Sequence, residues 1–328
     1  MKKITINYLS HHRLNYTNLM FYFLKKIKNE NKDILKINIL ATYENEWVKK
    51  CEELGIEYSI KIFKEGDLNY LNKIKVALDS SSEYSVKLDE DCFMNNYVWD
   101  YLIENVDVLN DDNILTLSPV MSNNIPSCDY FIEDFIDDKY IKSKIYNMFL
   151  GVNMPNGLWG ANYEQLNFYT LNSKEWNPKN FYEGVKNLKT NTRGIHPLRI
   201  SYDSQKEIND YIINNVERFI NPNNYNLFEI DSPYFTNSLF FIKTSEWKKI
   251  LSLPRKDTYD EISLNKYKTK KNKKFLFVKN GFGIHPMFNT VHGNKNPWGI
   301  GSEDAPQSEV DFYDKLSLKI LSYDTLYR

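Results

Sequence analysis

The chain has 328 residues, 42% hydrophobic and 15% aromatic, with a formal net charge of -1. Those figures predict one large globular domain or two intimately packed halves, and they exclude a disordered chain. Charges that nearly cancel argue against wholesale attraction to a polyanion, which clustered, unbalanced lysine and arginine would otherwise announce.

The first segment, MKKITINYLSHHR, has the two lysines of a secretory leader, but Thr5 and Asn7 break its apolar run, so residues 2–9 read as a first strand. Isoleucine-rich or alternating runs at 34–42 and 57–63 predict two more strands. Segments of helical length lie at 16–28, 45–54 and 68–79. A fourth strand, 83–88, runs directly into Asp89, Glu90 and Asp91. Asn95 and Asn96 then offer a cap to a helix whose apolar face is Val98, Leu102, Ile103, Val106 and Leu109. A strand at 113–120 follows. This alternation predicts an α/β fold with a mostly parallel, Rossmann-like central sheet flanked by helices. Residues 1–125 read as a nucleotide-sugar (donor) half, and residues 126–328 as an irregular, aromatic-rich acceptor half packed against it. In the second half a helix is legible at 204–219, a strand at 237–243 leading into a helix at 244–251, and a strand at 275–279. The lysine cluster Lys266–Lys274 reads as a solvated loop, and GIHP occurs at 194 and again at 283 without a true repeat. No run of eighteen apolar residues predicts a transmembrane helix. Cys51, Cys92 and Cys128, an odd count without CxxC spacing, read as reduced thiols in a cytoplasm.

The acidic triplet is the strongest chemical signal. Transfer from a nucleotide sugar leaves a diphosphate behind, and a divalent ion with oxygen ligands neutralises that charge. In an extended segment, Asp89 and Asp91 would face one side and converge on one ion. Ligands of open α/β sheets lie outside the carboxyl ends of the strands, where this triplet is expected. A bare DxD pattern is weak and also fits an acidic turn that caps a helix; its placement carries the inference.

The stretch SVKLDEDCFMNNYVWDYLIENVDVLNDDNILTLSPVMSNNIPS resembles the DxD region of GT-A fold glycosyltransferases, notably enzymes of bacteria and their phages, over about residues 80–135. The resemblance implies a GT-A-like fold and a Mn²⁺- or Mg²⁺-dependent hexosyl- or pentosyltransferase with a nucleotide-sugar donor, UDP-sugar first. It further implies that Asp89 meets the ribose or a metal-bound water and that Asp91 ligates the metal. Such enzymes often add a histidine ligand near the end of the domain, and His285 or His292 in NGFGIHPMFNTVHG would supply it.

Other candidates follow from residue chemistry. His11 and Arg13, after the first strand, suit a donor base and phosphate, or form an ordinary polar turn. Asp134 and Asp231, in aromatic surroundings, are candidates for the carboxylate an inverting transferase needs, or are structural acids. Arg193, His196 and Arg199 gather in one loop that suits a phosphate or acidic acceptor, and Trp159 suits a sugar face. Cys92, a thiol beside a site for an oxygen-loving ion, reads as packing. The expected acceptor is a glycan, or a hydroxymethylated base in phage DNA, and nothing in the sequence is evidence for an obligate protein partner. Rival readings are a metal-dependent nucleotidyltransferase, disfavoured because SHHRLNY is no glycine-rich phosphate loop, and a non-catalytic nucleotide-sugar binding protein.

Overall fold

The computed structural model describes residues 2–9, 24–27, 30–31, 33–41, 49, 52, 58–62, 74–75, 77–78, 81–89, 92–121, 136–141, 210–211, 214–219, 221–229, 238–253, 260–284 and 315. Among the described residues the frame is a sheet of nine strands: β1 (Ile4–Leu9), β2 (Leu35–Ala41), β3 (Tyr58–Ile62), β4 (Tyr84–Asp89), β5 (Phe93–Met94), β6 (Ile114–Met121), β7 (Asn226–Glu229), β8 (Leu239–Lys243) and β9 (Lys274–Ile284). The order is β3-β2-β1-β4-β8-β6-β9-β5, with β7 pairing β9 off this path.

The sheet is mixed. β3, β2, β1 and β4 are mutually parallel, as strand-helix alternation requires. β8 runs antiparallel to both β4 and β6. β6 and β9 are parallel again, while β5 and β7 run antiparallel to β9. The expectation of a mostly parallel sheet therefore holds for the first four strands and fails beyond them. An apolar run in a buried strand encodes two covered faces, not a direction. β7, β8 and β9 all come from beyond residue 125, yet β8 and β9 pair with strands of the first half, and β7 joins the sheet through β9.

Both faces are covered. On one, α1 (Asn96–Glu104) sets Trp99 against Phe241 of β8, with ring centroids 5.2 Å apart, and Val98, Trp99 and Leu102 are all fully buried. A large aromatic so placed is worth about 3–5 kcal/mol by truncation to alanine. On the other, α2 (Thr244–Ser252) packs Trp247 against Phe240 at 5.3 Å, and the Ser85 and Thr244 hydroxyls share a hydrogen bond of 2.8 Å. Asn95 caps α1 as expected: its side-chain oxygen accepts from the Tyr97 N–H at 2.8 Å.

The solvated loop expected at Lys266–Lys274 is not one. Residues Asp260–Lys271 form a helix, α3, with Leu264 and Tyr267 buried one turn apart, and Lys273 leads into β9 at Lys274. Two apolar anchors among many lysines leave too thin a stripe for periodicity to show. Three of the lysines are engaged: Lys268 lies over the Phe275 ring at 4.9 Å, Lys273 donates to the Asp112 carbonyl and pairs with Glu246 at 3.4 Å, and Lys274 pairs with Glu229 at 2.7 Å. Among the described residues no helix is long and apolar enough to cross a membrane.

Candidate active site

β1 and β4 are neighbours, although the chain leaves β1 for β2 on one side and returns from β3 to β4 on the other. Diverging crossovers open a crevice outside the carboxyl ends of such a pair, the place where open α/β sheets bind ligands. Asp89 is the last residue of β4 and lies in register with Leu9, the last of β1. Its carboxylate thus stands at the mouth of that crevice, with 26% of the side chain exposed. Its backbone N–H donates to the Ser238 carbonyl at 2.9 Å, which ties the strand end to β8's approach.

Strand alternation places Lys87 on the same face as Asp89, one pleat deeper. Its side chain is 2% exposed, and its Nζ reaches Asp89 Oδ1 at 2.8 Å. The polar character of this face continues sideways. Lys87 is in register with Asn7 of β1, and Asn7 with Asn38 of β2, all buried. Asn38 Nδ2 donates to Asn7 Oδ1 at 3.3 Å and to the Ala77 carbonyl at 3.1 Å, and Asn7 Nδ2 donates to the Val86 carbonyl at 3.3 Å. A row of amides and one ammonium therefore runs beneath the crevice, satisfied by hydrogen bonds as burial demands. Lys87 was not among the residues singled out from the sequence. A lysine in an alternating strand reads as solvent-facing, and only the packing of α2 on this face shows otherwise.

The Cys92 N–H donates to the Asp89 carbonyl at 3.2 Å. The alternation argument for a convergent Asp89 and Asp91 turns on residues 90 and 91, which lie outside the described residues. Cys92 itself is fully buried and in no disulfide, as its reading as a packing residue requires.

β5 begins immediately afterwards, and its two residues pair with the end of β9: Phe93 with Ile284 and Met94 with Gly283. β9 reaches this position by a bend. Its register with β6 jumps from Pro119–Val278 to Val120–Phe282, and Asn280 in between has φ of 62°. The Asn280 side chain is held by the Asn224 carbonyl at 3.0 Å. Gly281 is required here, because a Cβ would lie 2.4 Å from Val278 Cγ1 and 3.3 Å from Val98 Cγ1.

Of the residues expected to carry function, Asp89 alone is described. Asp91, His11, Arg13, Asp134, Trp159, Arg193, His196, Arg199, Asp231, His285 and His292 lie outside the described residues, as do the divisions of role drawn among them. Among the described residues no three His, Cys, Asp or Glu side chains cluster as a metal site.

No family model matches the chain, and no curated protein matches it. Among solved structures it is similar to a cytidylyltransferase from Leptospira borgpetersenii serovar Hardjo-bovis, with 16% identity and a TM-score of 0.26. The match covers 35% of this chain and 52% of that one, so the chain spans about half the length of that protein. A likeness of this extent carries no argument about activity, which rests on the site itself.

Proposed function

We propose that the protein transfers a hexosyl or pentosyl group from a nucleoside diphosphate sugar, UDP-sugar first, to an acceptor hydroxyl, with Mn²⁺ or Mg²⁺ bound at the acidic triplet. One observation carries this reading: Asp89 ends β4 in register with the end of β1, at the crevice where the crossovers diverge. A second supports it. Phe93 pairs with Ile284, two residues after Asp91 and one before His285, so the backbone brings the flanks of the triplet and of the second GIHP together. That pairing favours His285 over His292 as the partner of Asp91.

In this reading Asp89 anchors the donor, and Asp91 with His285 would hold the ion. Oxygen and imidazole donors fit such an ion, which would offset the charge growing on the departing diphosphate. His11 and Arg13 would grip the base and phosphates. The proton of the acceptor hydroxyl would pass to Asp134 or Asp231 in an inverting enzyme. Arg193, His196, Arg199 and Trp159 would receive the acceptor. Lys268, Lys273 and Lys274 make contacts within the fold, and together with the nearly cancelled net charge this supports a glycan over DNA as the preferred acceptor.

Calorimetry with a panel of nucleotide sugars, with and without Mn²⁺, tests the proposal on the wild type and on Asp91→Ala. The expected result is metal-dependent binding of one nucleotide class, weakened at least about tenfold in the variant. Metal-dependent binding unchanged in Asp91→Ala would sink it, and pyrophosphate release from a nucleoside triphosphate would transfer the site to nucleotidyl chemistry.

A further inference from the structure

We propose that a polar cavity between residues 137–141 and 210–218 is a sugar-binding site, taking an uncharged, hydroxyl-rich ligand. That it binds a sugar stands independently of the functional reading above; that the sugar belongs to the acceptor rests on that reading.

The cavity has a volume of about 500 Å³, and Asp137, Asp138, Asp210, Tyr211, Asn214 and Arg218 are among the residues that line it. Small-molecule sites commonly enclose about 300–1,000 Å³. Tyr211 sets its chemistry. This residue is 8% exposed, and its hydroxyl oxygen accepts from the Asp137 N–H at 3.2 Å and from Arg218 Nη1 at 2.9 Å. Two donors occupy the oxygen, and the hydroxyl's own proton has no acceptor among the described residues. A donor so buried is costly to leave unanswered, which points to a ligand oxygen in the cavity. Arg218 Nη1 also holds Asp137 Oδ2 at 2.7 Å, which leaves Nε and Nη2 to donate. Asp138 Oδ1 caps the turn that follows it, accepting from the N–H groups of Tyr140 at 2.8 Å and Ile141 at 3.2 Å, which leaves Oδ2 to accept.

The ligand must therefore both give and take hydrogen bonds. An anion only accepts, and three carboxylates against one guanidinium repel it. An amine only donates and would leave the Tyr211 proton and Arg218 unanswered, and the carboxylates do not gather as a metal site. A sugar hydroxyl donates and accepts at one atom. The location suits an acceptor. The short helix Val216–Phe219, which carries Arg218, touches β9. β9 is parallel to β6, and β6 and β4 are both antiparallel to β8, so the carboxyl ends of β9 and β4 lie at the same end of the sheet. β7 begins opposite Lys279 and runs away from that end. The segment that holds Tyr211 and Arg218 thus enters the sheet from the end at which Asp89 stands.

The test is saturation-transfer NMR on the full chain with the methyl glycosides of glucose, galactose, mannose and N-acetylglucosamine, and with inorganic phosphate and spermidine as charged probes. Wild type, Tyr211→Phe and Asn214→Trp are compared, with melting curves and Mn²⁺-dependent nucleotide binding measured for each. At least one glycoside is expected to bind the wild type. Tyr211→Phe, which deletes the proton and keeps the ring, weakens that glycoside about tenfold. Asn214→Trp fills the cavity and abolishes glycoside binding, with nucleotide binding unchanged. Should Asn214→Trp fail to fold, Asn214→Arg is judged by the same criterion. The proposal is overturned if no glycoside binds the wild type, if glycoside binding survives in the folded cavity-filling variant or is unaltered in Tyr211→Phe, or if only phosphate or spermidine binds. A wild type that binds a glycoside but shows no Mn²⁺-dependent nucleotide binding removes the functional reading and leaves the sugar site standing.

Discussion

β4 has a polar cluster at each end, and the two are built differently. At its start, the Tyr84 hydroxyl donates to Asp107 Oδ1 at 2.9 Å and accepts from Asn110 at 2.9 Å, while Lys2 pairs with Asp107 at 2.6 Å. The Asp107 and Lys2 side chains are 53% and 33% exposed, so water screens their charges. At its end, the ammonium is buried and the carboxylate half-buried. The first cluster ties the strand to the turn that follows α1 and asks little of solvation. The second keeps a costly buried charge beside a crevice, an arrangement hard to justify by stability alone. Perturbing each end separately shows whether stability and ligand binding part company along one strand.

The largest expected effect is at the crevice end. Asp89→Ala leaves the Lys87 ammonium buried without its carboxylate, which for a fully buried pair costs about 3–5 kcal/mol; with Asp89 partly hydrated, about 2–3 kcal/mol is expected in urea unfolding. Lys87→Met, which removes the buried ion instead, is expected to lose far less stability, and equal losses would mean that the two charges do not depend on each other. Gly281→Ala comes next, because Val278 must shift to admit the new methyl group; a loss of about 1–3 kcal/mol is expected from the same measurement. If that variant unfolds at the wild-type urea concentration, the close approach of β9 to α1 is not as tight as it stands here.

At the opposite end the effects shrink. Tyr84→Phe deletes a hydroxyl that both donates and accepts, at a cost of about 1 kcal/mol, with nucleotide binding unchanged. A change in binding without a change in melting temperature would reverse the assignment of this end to stability. Smallest is the pH effect of Lys2. Its hydrogen bond to Asp107, and then that of Tyr84, hold the Asp107 carboxyl below the usual aspartate range, although burial opposes them. A depressed carboxyl contributes stability that is present above the unfolded pKa and is lost as pH falls through the folded one. The melting temperatures of wild type and Lys2→Met should therefore differ slightly near neutrality and converge on the acid side of the aspartate range. For a pair this exposed the difference is under about 0.5 kcal/mol. Desolvation first, then the Asp107 hydrogen bond, pushes the Tyr84 hydroxyl up, so it stays protonated across this range.

Much of the frame is legible in the residues. β1, β2, β3, β4, β6 and β8 fall within one or two residues of the runs that announce them, because Ile, Val, Leu and Phe recur where both faces of a strand are covered. Asn95 is a readable cap for the same local reason. β5, with two residues, is too short to show any period, and β7 lies largely at the surface, so neither was expected. α3 hides behind its lysines. At the site, Asp89 could be found because a strand signal runs straight into it. Lys87 could not, since the same letters serve an exposed lysine and a buried one.

The chain by itself determined where strands begin and end, which helices have an apolar face, and that a carboxylate closes the fourth strand. Those are local matters, set by side-chain volume, polarity and capping within a few residues. Only the tertiary structure decided that β8 runs against β4 and β6, that β9 bends at Asn280 and Gly281 to meet β5, and that the ammonium of Lys87 is sealed against Asp89. Each of these depends on contacts between segments far apart in the chain, where packing and desolvation select one arrangement among many that the same local pattern would allow.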